Sequence, residues 1–288
     1  MRVIPNRTVG AVARRSRAVS SSKPEPGNSL ERMVGVLDLF EESPSGWTFD
    51  RIHSRLGYTR STLYRYLKIL SDAELLTSLP ETGYTLGPRI VELDHEIRAH
   101  DPIIRASRPV MLELVREIPG IALLCRSYRS KVLCVHQERS TTEIESTYER
   151  GRTMPLLRGA ASRIILANMP ARTIAVLYER QPDEFAAAGL GEALAAVQDN
   201  LKRIRKTGWD QTTGEVTKGI TGIAAPIFDD RDKVLGSLSI SFAARSMNAR
   251  RIMAIAERVV ACAAVVTKAI AQPANPARNH GTGRKTEV

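Results

Sequence analysis

The chain has 288 residues and a formal net charge of +11. This length suits two domains of ordinary size, and the charge favours a polyanionic partner, either nucleic acid or a membrane surface. The sequence has no run of about 18 apolar residues and no apolar signal segment near its N-terminus. We therefore expect a cytoplasmic protein that does not span a membrane.

Cysteine usage argues against several kinds of chemistry. The three cysteines are Cys125, Cys134 and Cys262, and they form no CxxC motif and lack the spacing of metal ligands. Reduced core thiols of this kind are typical of cytosolic proteins. The sequence therefore predicts no metal site and no catalytic cysteine. We also expect no bound cofactor.

Both ends of the chain differ in composition from the rest. Residues 1–28 are rich in arginine, serine, proline and glycine and have no sustained hydrophobic period. We expect a disordered basic tail there, although organelle transit peptides have a similar composition. Residues 273–288 are rich in proline, asparagine, glycine and charged residues, so we expect a second disordered tail.

Residues 48–56 and 60–70 predict two short helices joined by a tight turn. Thr48 can cap the first helix, because its hydroxyl can accept from a free backbone N–H, and Gly57 can end it in the left-handed conformation. Thr59 can cap the second helix in the same way. The apolar faces are Phe49, Ile52 and Leu56 in the first helix and Leu63, Leu67 and Leu70 in the second. This pattern is typical of a helix-turn-helix.

The second helix carries polar side chains on the face opposite its leucines. Arginine can bind guanine by two hydrogen bonds, and hydroxyls and lysine can reach phosphates. Such a helix suits a DNA major groove, so residues 60–70 form the predicted recognition helix. The candidate DNA contacts are Thr59, Arg60, Ser61, Thr62, Tyr64, Arg65 and Lys68. The alternative is a structural helix-turn-helix whose charged face is merely solvated.

Two further elements would complete the N-terminal domain. A helix that begins at Ser29 has apolar residues at helical spacing and would pack beneath the helix-turn-helix. After the recognition helix, two β-prone runs flank the turn signal Pro80-Glu81-Thr82-Gly83, which predicts a hairpin. A hairpin directly after a recognition helix is a wing.

Three motifs in this domain resemble the IclR family of bacterial transcription regulators. They are Ser29-Leu30-Glu31-Arg32, Ser61-Thr62-Leu63-Tyr64-Arg65 and Tyr84-Thr85-Leu86-Gly87-Pro88. The resemblance implies a winged helix-turn-helix domain over residues 29–87. Glu74 departs from the family, which usually has glycine at this turn. A non-glycine residue in the left-handed conformation costs roughly 1 kcal/mol, so we expect that the turn could be rearranged.

Residues 88–101 predict a short helix that starts at Pro88, a residue suited to the first helical position. Its apolar stripe is too narrow to form a core of its own and consists of Ile90, Leu93 and Ile97. By resemblance to the family, this helix is a linker that helps to pair two subunits. A surface helix that rests on its own domain is the alternative.

Residues 102–272 alternate between helical and strand patterns, which predicts an α/β or α+β domain. The predicted helices are 103–118, 159–168, 171–180, 191–207 and 248–270, and the predicted strands are 121–128, 131–137, 220–228 and 233–242. Motifs within 151–167, 208–227 and 237–241 resemble the same family. The resemblance implies an α+β chain whose C-terminal domain is GAF-like, with a curved antiparallel sheet that binds an effector.

In the family, this domain holds a pocket for a small metabolite that usually bears a carboxylate. The resemblance assigns to the pocket Leu156, Ala160, Ala161, Thr213, Glu215, Gly222, Ser239 and Ser241. Strand alternation puts Ser237, Ser239 and Ser241 on one face, where hydroxyls can bind a carboxylate. Arg158 or Arg163 could pair with an anionic effector, or both could face solvent. Outward serines on an edge strand are the alternative for Ser239 and Ser241.

The sequence contains no nucleophile elbow, phosphate loop, HExxH motif or Rossmann fingerprint, and its histidines are scattered. We therefore expect no enzyme. The sequence predicts a transcriptional regulator that binds a palindromic double-stranded DNA operator as a homodimer or homotetramer and responds to a small organic acid. The alternative is a ligand-binding or scaffolding protein with a vestigial helix-turn-helix.

Overall fold

A computed structural model describes residues 28–43, 46–128, 131–140, 144, 148–244 and 248–271. The two predicted tails, 1–28 and 273–288, lie outside these residues except for Asn28. The chain divides into two units, the first ending at His95 and the second beginning at Glu96. Each unit has its own hydrophobic core.

The first unit contains the predicted helix-turn-helix. Its helices are α1 (Ser29–Val34), a 3-10 helix (Gly35–Glu41), α2 (Phe49–Leu56) and α3 (Arg60–Asp72). The hydroxyls of Thr48 and Thr59 cap α2 and α3, and Gly57 ends α2 with a φ of +66°. The leucines of α3 are buried as predicted, because they share the helical face that meets the core. Local sequence signals therefore define this motif.

The predicted wing is a hairpin of β1 (Leu76–Leu79) and β2 (Gly83–Leu86). Trp47 adds a short segment to it that the sequence analysis did not predict. The Trp47 N–H donates to the Tyr84 oxygen at 2.9 Å, and the Tyr84 N–H donates to the Trp47 oxygen at 2.8 Å. The buried indole N–H donates to the Leu39 carbonyl at 2.9 Å. Trp47 thus connects the wing to the helical core.

The turn between α3 and the wing is not rearranged to avoid strain at Glu74. Glu74 adopts the left-handed conformation with a φ of +56°. Its carbonyl accepts from the Arg89 N–H at 3.2 Å and passes so close to Gly87 that a Cβ on Gly87 would lie 2.2 Å away. Glycine is therefore needed at position 87 for this close approach.

The predicted linker is the helix α4 (Pro88–His100), and none of its residues is buried. In the predicted stripe, Leu93 and Ile97 have exposed fractions of 43% and 51%, and Ile90 is half-buried. Large apolar side chains that lie together at a surface are typical of contact surfaces. The role of α4 in subunit pairing stays a prediction.

The second unit is built on a six-stranded antiparallel sheet. Its strands are β3 (Ile121–Tyr128), β4 (Lys131–Arg139), β5 (Thr153–Pro155), β6 (Asp210–Thr213), β7 (Ile220–Phe228) and β8 (Val234–Ala243). The order across the sheet is β5-β4-β3-β8-β7-β6. The four long strands were predicted, whereas β5 and β6 were not. Because β8 lies between β3 and β7, its serines are not on an edge strand.

Helices cover both faces of this sheet. They are α5 (Pro102–Glu117), α6 (Ala160–Ala167), α7 (Ala171–Arg180), α8 (Pro182–Ala187), α9 (Leu194–Thr207) and α10 (Ala249–Ala271). Helices α5 and α10 pack together against β7, β3 and β4, while α6 packs on β7, β8 and β6. The prediction of a helix from 191 was wrong at its start, because Gly191 has a φ of +141° and α9 begins at Leu194. Helix α8 was also not predicted.

Two kinds of feature are missing from the residues that the structure describes. No helix there is long and apolar enough to cross a membrane. No group of three or more His, Cys, Asp and Glu side chains is arranged there to hold a metal ion.

Candidate functional sites

One face of α3 presents polar side chains to solvent. Ser61, Arg65 and Lys68 are exposed, and Tyr64 has an exposed fraction of 63%. The opposite face is buried, and it includes Tyr66 in addition to the predicted leucines. The predicted contact residues Arg60 to Lys68 therefore form a continuous outer surface of α3. A protein helix with such a surface fits the major groove of DNA.

Some of these side chains have partners within the chain. The Arg60 guanidinium donates to Asp50 at 2.8 Å and lies 4.8 Å from the centre of the Phe49 ring. The Lys68 ammonium lies 3.8 Å from the Asp72 carboxylate. Both ion pairs are largely exposed, and pairs of that kind contribute at most about 1 kcal/mol. A DNA phosphate can therefore replace either carboxylate.

Thr59 and Thr62 have less freedom to contact DNA than the sequence analysis assumed. The Thr59 hydroxyl accepts from the Thr62 N–H at 3.3 Å and donates to the Thr62 hydroxyl at 2.9 Å. The first bond caps α3, and the second ties the Thr62 hydroxyl to that cap. Their contact with DNA stays a prediction.

A cavity lies between the start of α6 and the face of the sheet that α6 covers. It holds about 530 Å³ of space, its open mouth included. The apolar part of its wall is Leu123, Tyr148, Met154, Ala160, Ala161, Val216 and Ile220. The remaining wall is Arg158, Gly159, Ser162, Thr212, Glu215, Thr217, Gly222, Ser239 and Ser241. Ligand sites in proteins commonly combine apolar walls with a few polar groups in this way.

The structure brings most of the predicted pocket residues to this cavity. They are Ala160, Ala161, Glu215, Gly222, Ser239 and Ser241. The placement of Thr213 is a correction: it is exposed and its hydroxyl lies 3.0 Å from that of Thr221, whereas Thr212 lines the cavity. Leu156 is a second correction, because it is buried in the core and is not among the described residues of the cavity wall.

The start of α6 points its backbone N–H groups at the cavity wall. The Gly159 N–H donates to Glu215 Oε2 at 3.0 Å, and the Ala160 N–H donates to Thr212 Oγ1 at 3.0 Å. The N-terminus of a helix carries a partial positive charge that attracts anions. Glu215 thus places the chain's own carboxylate where an anion is favoured.

Arg163 is held by the protein and does not line the cavity. Its guanidinium donates to Glu215 Oε1 at 2.8 Å. Its Nε lies 3.0 Å from Asp210 Oδ2, although neither atom makes a hydrogen bond within the described part of the chain. Burial raises the pKa of Asp210, while the charge of Arg163 acts in the opposite direction. Arg158, by contrast, is exposed and lines the cavity.

The serines on the cavity side of β8 and α6 differ in their partners. The Ser237 hydroxyl donates to the Ala161 carbonyl at 2.9 Å. The hydroxyls of Ser239 and Ser162 are buried and find no hydrogen-bond partner among the residues that the structure describes. Leaving a buried hydroxyl without a partner costs about 1–3 kcal/mol. Unpaired hydroxyls in a cavity wall are therefore suited to a ligand.

Two family models match the chain over the regions just described. The model of the IclR helix-turn-helix domain matches residues 29–80, and the model of the bacterial transcriptional regulator IclR C-terminal domain matches residues 95–268. The chain belongs to the IclR family of transcriptional regulators. Members of the IclR family are regulators and not enzymes, which confirms the prediction that this chain is no enzyme.

Individual IclR relatives match over nearly their full length. The regulator XynR of Escherichia coli (strain K12) is 25% identical over 257 residues, which are 85% of this chain and 98% of XynR. The crystal structure of an IclR regulator from Alicyclobacillus acidocaldarius has a TM-score of 0.69 at 21% identity and covers 83% of this chain and 97% of its own. The crystal structure of an IclR homolog from Microbacterium hydrocarbonoxydans, complexed with 4-hydroxybenzoate, has a TM-score of 0.66 at 18% identity. It covers 84% of this chain and 99% of its own. Both crystal structures share the fold of this chain.

Several cavity residues of this IclR chain were not predicted from its sequence. Thr212 was missed because β6 was not recognised as a strand; its alternation would have turned Thr212 inward and Thr213 outward. Leu123 and Met154 have the pattern of ordinary core residues, so no signal separates them from the core. Tyr148 lies in a stretch that was assigned no element. Each of these residues reaches the cavity through the tertiary fold.

Proposed function

We propose that this IclR-family chain binds a DNA operator through the outer face of α3 and that a small organic acid in the cavity controls this binding. The observation that carries the proposal is the unpaired, buried Ser239 hydroxyl in the cavity wall. A hydroxyl in this position is costly for the protein alone and becomes favourable when a ligand supplies the missing hydrogen bond.

On the DNA side, Tyr64 and Arg65 at the middle of the exposed face would contact bases. Arg65 lies 5.7 Å from the Tyr66 ring centre, and its side chain is exposed, so it can turn towards guanine. Arg60 and Lys68 would contact phosphates after leaving Asp50 and Asp72. Two copies of α3 in a symmetric dimer would read half-sites about one helical turn apart, or multiples of that distance.

On the effector side, the composition of the cavity favours a compact ligand with an apolar body and one anionic end. Leu123, Met154 and Ile220 would pack against the body, while Ser239 and the start of α6 would bind the polar end. The 4-hydroxybenzoate found with the relative from Microbacterium hydrocarbonoxydans has this chemistry, which supports an aromatic acid as the first choice of probe.

The carboxylate of Glu215 has a direct consequence for binding. It accepts the hydrogen bond of the Gly159 N–H at the start of α6, so an acid that binds to this N–H must displace the Glu215 carboxylate. Glu215 can keep its bond to Arg163 when it moves, because that bond uses its other oxygen. Binding of an acid is therefore an exchange of one carboxylate for another, accompanied by a movement of residues 214–219.

Control of DNA binding would follow from a shift between two arrangements of the subunits. An effector that binds one arrangement more tightly increases the population of that arrangement. Helix α4 joins the two units and carries an exposed apolar stripe. We propose that α4 pairs with α4 of a second copy and transmits the change.

The test is fluorescence anisotropy with DNA from upstream of the gene, over a salt series, with and without benzoate, 4-hydroxybenzoate and small aliphatic acids. We expect selective binding that weakens with salt and that at least one acid changes. Arg65→Ala should cost about 1–3 kcal/mol of specific binding, because it removes a base contact. DNA binding that is weak and depends on neither the DNA sequence nor the added acid would instead support the ligand-binding or scaffolding alternative.

A further inference from the structure

Two cysteines face each other in the middle of the sheet that carries the cavity. Cys125 on β3 is the direct register partner of Cys134 on β4. Both side chains are fully buried and both thiols are reduced. Cys125 lies two residues beyond Leu123 in β3, on the same face of the sheet, and Leu123 lines the cavity. The pair is thus next to the cavity wall.

The backbone shows which type of antiparallel pair the two cysteines form. The Cys134 N–H donates to Arg152 at 3.0 Å, and its carbonyl accepts from Gly151 at 2.8 Å. Both groups therefore point away from β3, so Cys125 and Cys134 form a non-hydrogen-bonded pair. The Cα atoms of such a pair are about 4.5 Å apart, within the span of about 4.4–6.8 Å that a disulfide bridges.

A β-bulge lies beside the pair. The register shifts between Leu124 and Cys125, so Val135 on β4 has no counterpart on β3. A bulge bends its strand and lets the local geometry adjust. The two cysteines can therefore approach one another without breaking the regular ladder from Arg126 to Tyr128.

The environment makes the two thiols unequal. The hydrogen bond from the Cys125 thiol lowers the pKa of Cys134, although burial acts in the opposite direction. The same hydrogen bond, together with burial, raises the pKa of Cys125 well above its usual range. Cys134 is therefore the more readily ionised of the two, and the thiolate is the reactive form.

We propose that Cys125 and Cys134 are a modification site, a dithiol that a hydroperoxide converts to a reversible disulfide next to the wall of the cavity. The Cys134 thiolate attacks the outer oxygen of the hydroperoxide, and the O–O bond breaks. The outer oxygen stays on Cys134 as a sulfenic acid, and the inner oxygen takes a proton and leaves as an alcohol. The Cys125 thiol then attacks the Cys134 sulfur and releases water. In total, two thiols and one hydroperoxide give one disulfide, one alcohol and one water.

The experiment treats the reduced full-length chain with hydrogen peroxide or cumene hydroperoxide, then unfolds it and labels free thiols with N-ethylmaleimide. The reduced chain carries three cysteines and takes three labels. We expect the oxidised chain to take one label, on Cys262, and to lose the mass of two hydrogens. Trypsin cuts after Arg126, Arg129 and Lys131, so the disulfide should join two separate peptides. Dithiothreitol should restore all labels.

Cys262 provides the matched control, because it is buried on α10 and not in the sheet. Cys262→Ser should still form the disulfide, whereas Cys134→Ser should keep both of its remaining labels. Cys125→Ala should stop at a sulfenic acid on Cys134 and keep only the label on Cys262. A circular dichroism melt confirms that each variant is folded. The proposal is overturned if folded protein keeps all labels, if the pair reacts only after unfolding in urea, or if oxidation links separate chains or stops at a sulfonic acid.

Discussion

The outer face of α3 and the cavity of the second unit hold their polar groups in opposite ways. On α3, Arg60 and Lys68 have carboxylate partners, but these pairs are exposed to solvent. In the cavity, the Ser239 and Ser162 hydroxyls are removed from solvent and have no partner in the described part of the chain. The cations on α3 can exchange their weakly bound carboxylates for DNA phosphates. The cavity hydroxyls can each gain a hydrogen bond from a ligand.

The difference shows how one chain can separate affinity from chemical selectivity. Exposed cations attract any polyanion, and salt screens that attraction. Buried hydroxyls discriminate between ligands, because each unmet hydrogen bond is costly in a dry environment. A substitution in one unit should therefore change one property and leave the other intact.

The largest effect is expected for Gly87→Ala in the first unit. A Cβ at this position would lie 2.2 Å from the Glu74 carbonyl oxygen and 2.8 Å from its carbon. Both atoms belong to the backbone, so they cannot turn away. We expect a loss of about 2–4 kcal/mol in the free energy of unfolding of the first unit and a loss of DNA binding. Chemical denaturation and anisotropy measure the two effects.

Gly35→Ala is the control for this change. Gly35 has an ordinary helical φ of −61°, and no atom lies within 4 Å of a Cβ built on it. Alanine there should be neutral or slightly stabilising. Gly87→Ala should also leave the affinity for a cavity ligand unchanged. Equal effects of both variants would contradict the close approach at Gly87.

The second prediction compares Ser239→Ala with Ser237→Ala on the same face of β8. Ser239→Ala removes an unpaired buried hydroxyl, so we expect about 1 kcal/mol of added stability and a threefold to tenfold loss of affinity for an acid. Ser237→Ala removes a bond to Ala161 and should destabilise by about 1–2 kcal/mol. Urea denaturation and isothermal titration calorimetry separate the outcomes. A stability loss in both variants would show that Ser239 is paired.

The sequence predicted the first unit more completely than the cavity, and the reason is the range over which each is determined. Thr48, Gly57 and Thr59 mark helix ends through bonds to residues a few positions away. The partners of α6 come from much further along the chain, since Ala160 meets Thr212 and Gly159 meets Glu215. No local pattern contains such pairs, and the resemblance to the family supplied Ala160 and Glu215 but not their partners.

The same limit applies to single side chains. The exposure of Arg60 follows from helical spacing, but its ion pair with Asp50 depends on how α2 and α3 cross. Thr213 was assigned to the pocket by resemblance, but in the short strand β6 its neighbour Thr212 is the residue that faces the cavity. Periodicity therefore predicts which face a residue occupies, and the tertiary fold determines what that face meets.

The third prediction concerns Glu215→Gln in the cavity wall. The variant keeps an oxygen that can accept from Gly159 and removes the negative charge beside the start of α6. We expect benzoate to bind about fivefold to tenfold more tightly, a gain of about 1 kcal/mol, because less repulsion opposes the incoming carboxylate. Benzamide, which is neutral and of similar shape, should show no gain in calorimetry. An equal gain for both ligands would indicate a change in space and not in charge.

The smallest effect is expected for Glu74→Gly at the turn between α3 and the wing. Glu74 has a φ of +56°, and glycine adopts this conformation without steric cost. We expect a gain of about 0.5–1 kcal/mol in the stability of the first unit, since the relieved strain exceeds the added freedom of the unfolded chain. Glu74→Ala removes the same carboxylate but keeps the Cβ, so it should give no gain. If alanine stabilises as much as glycine, the charge of Glu74 and not its backbone conformation is responsible. Neither variant should alter the affinity of the cavity for an acid, because the strain lies wholly within the first unit.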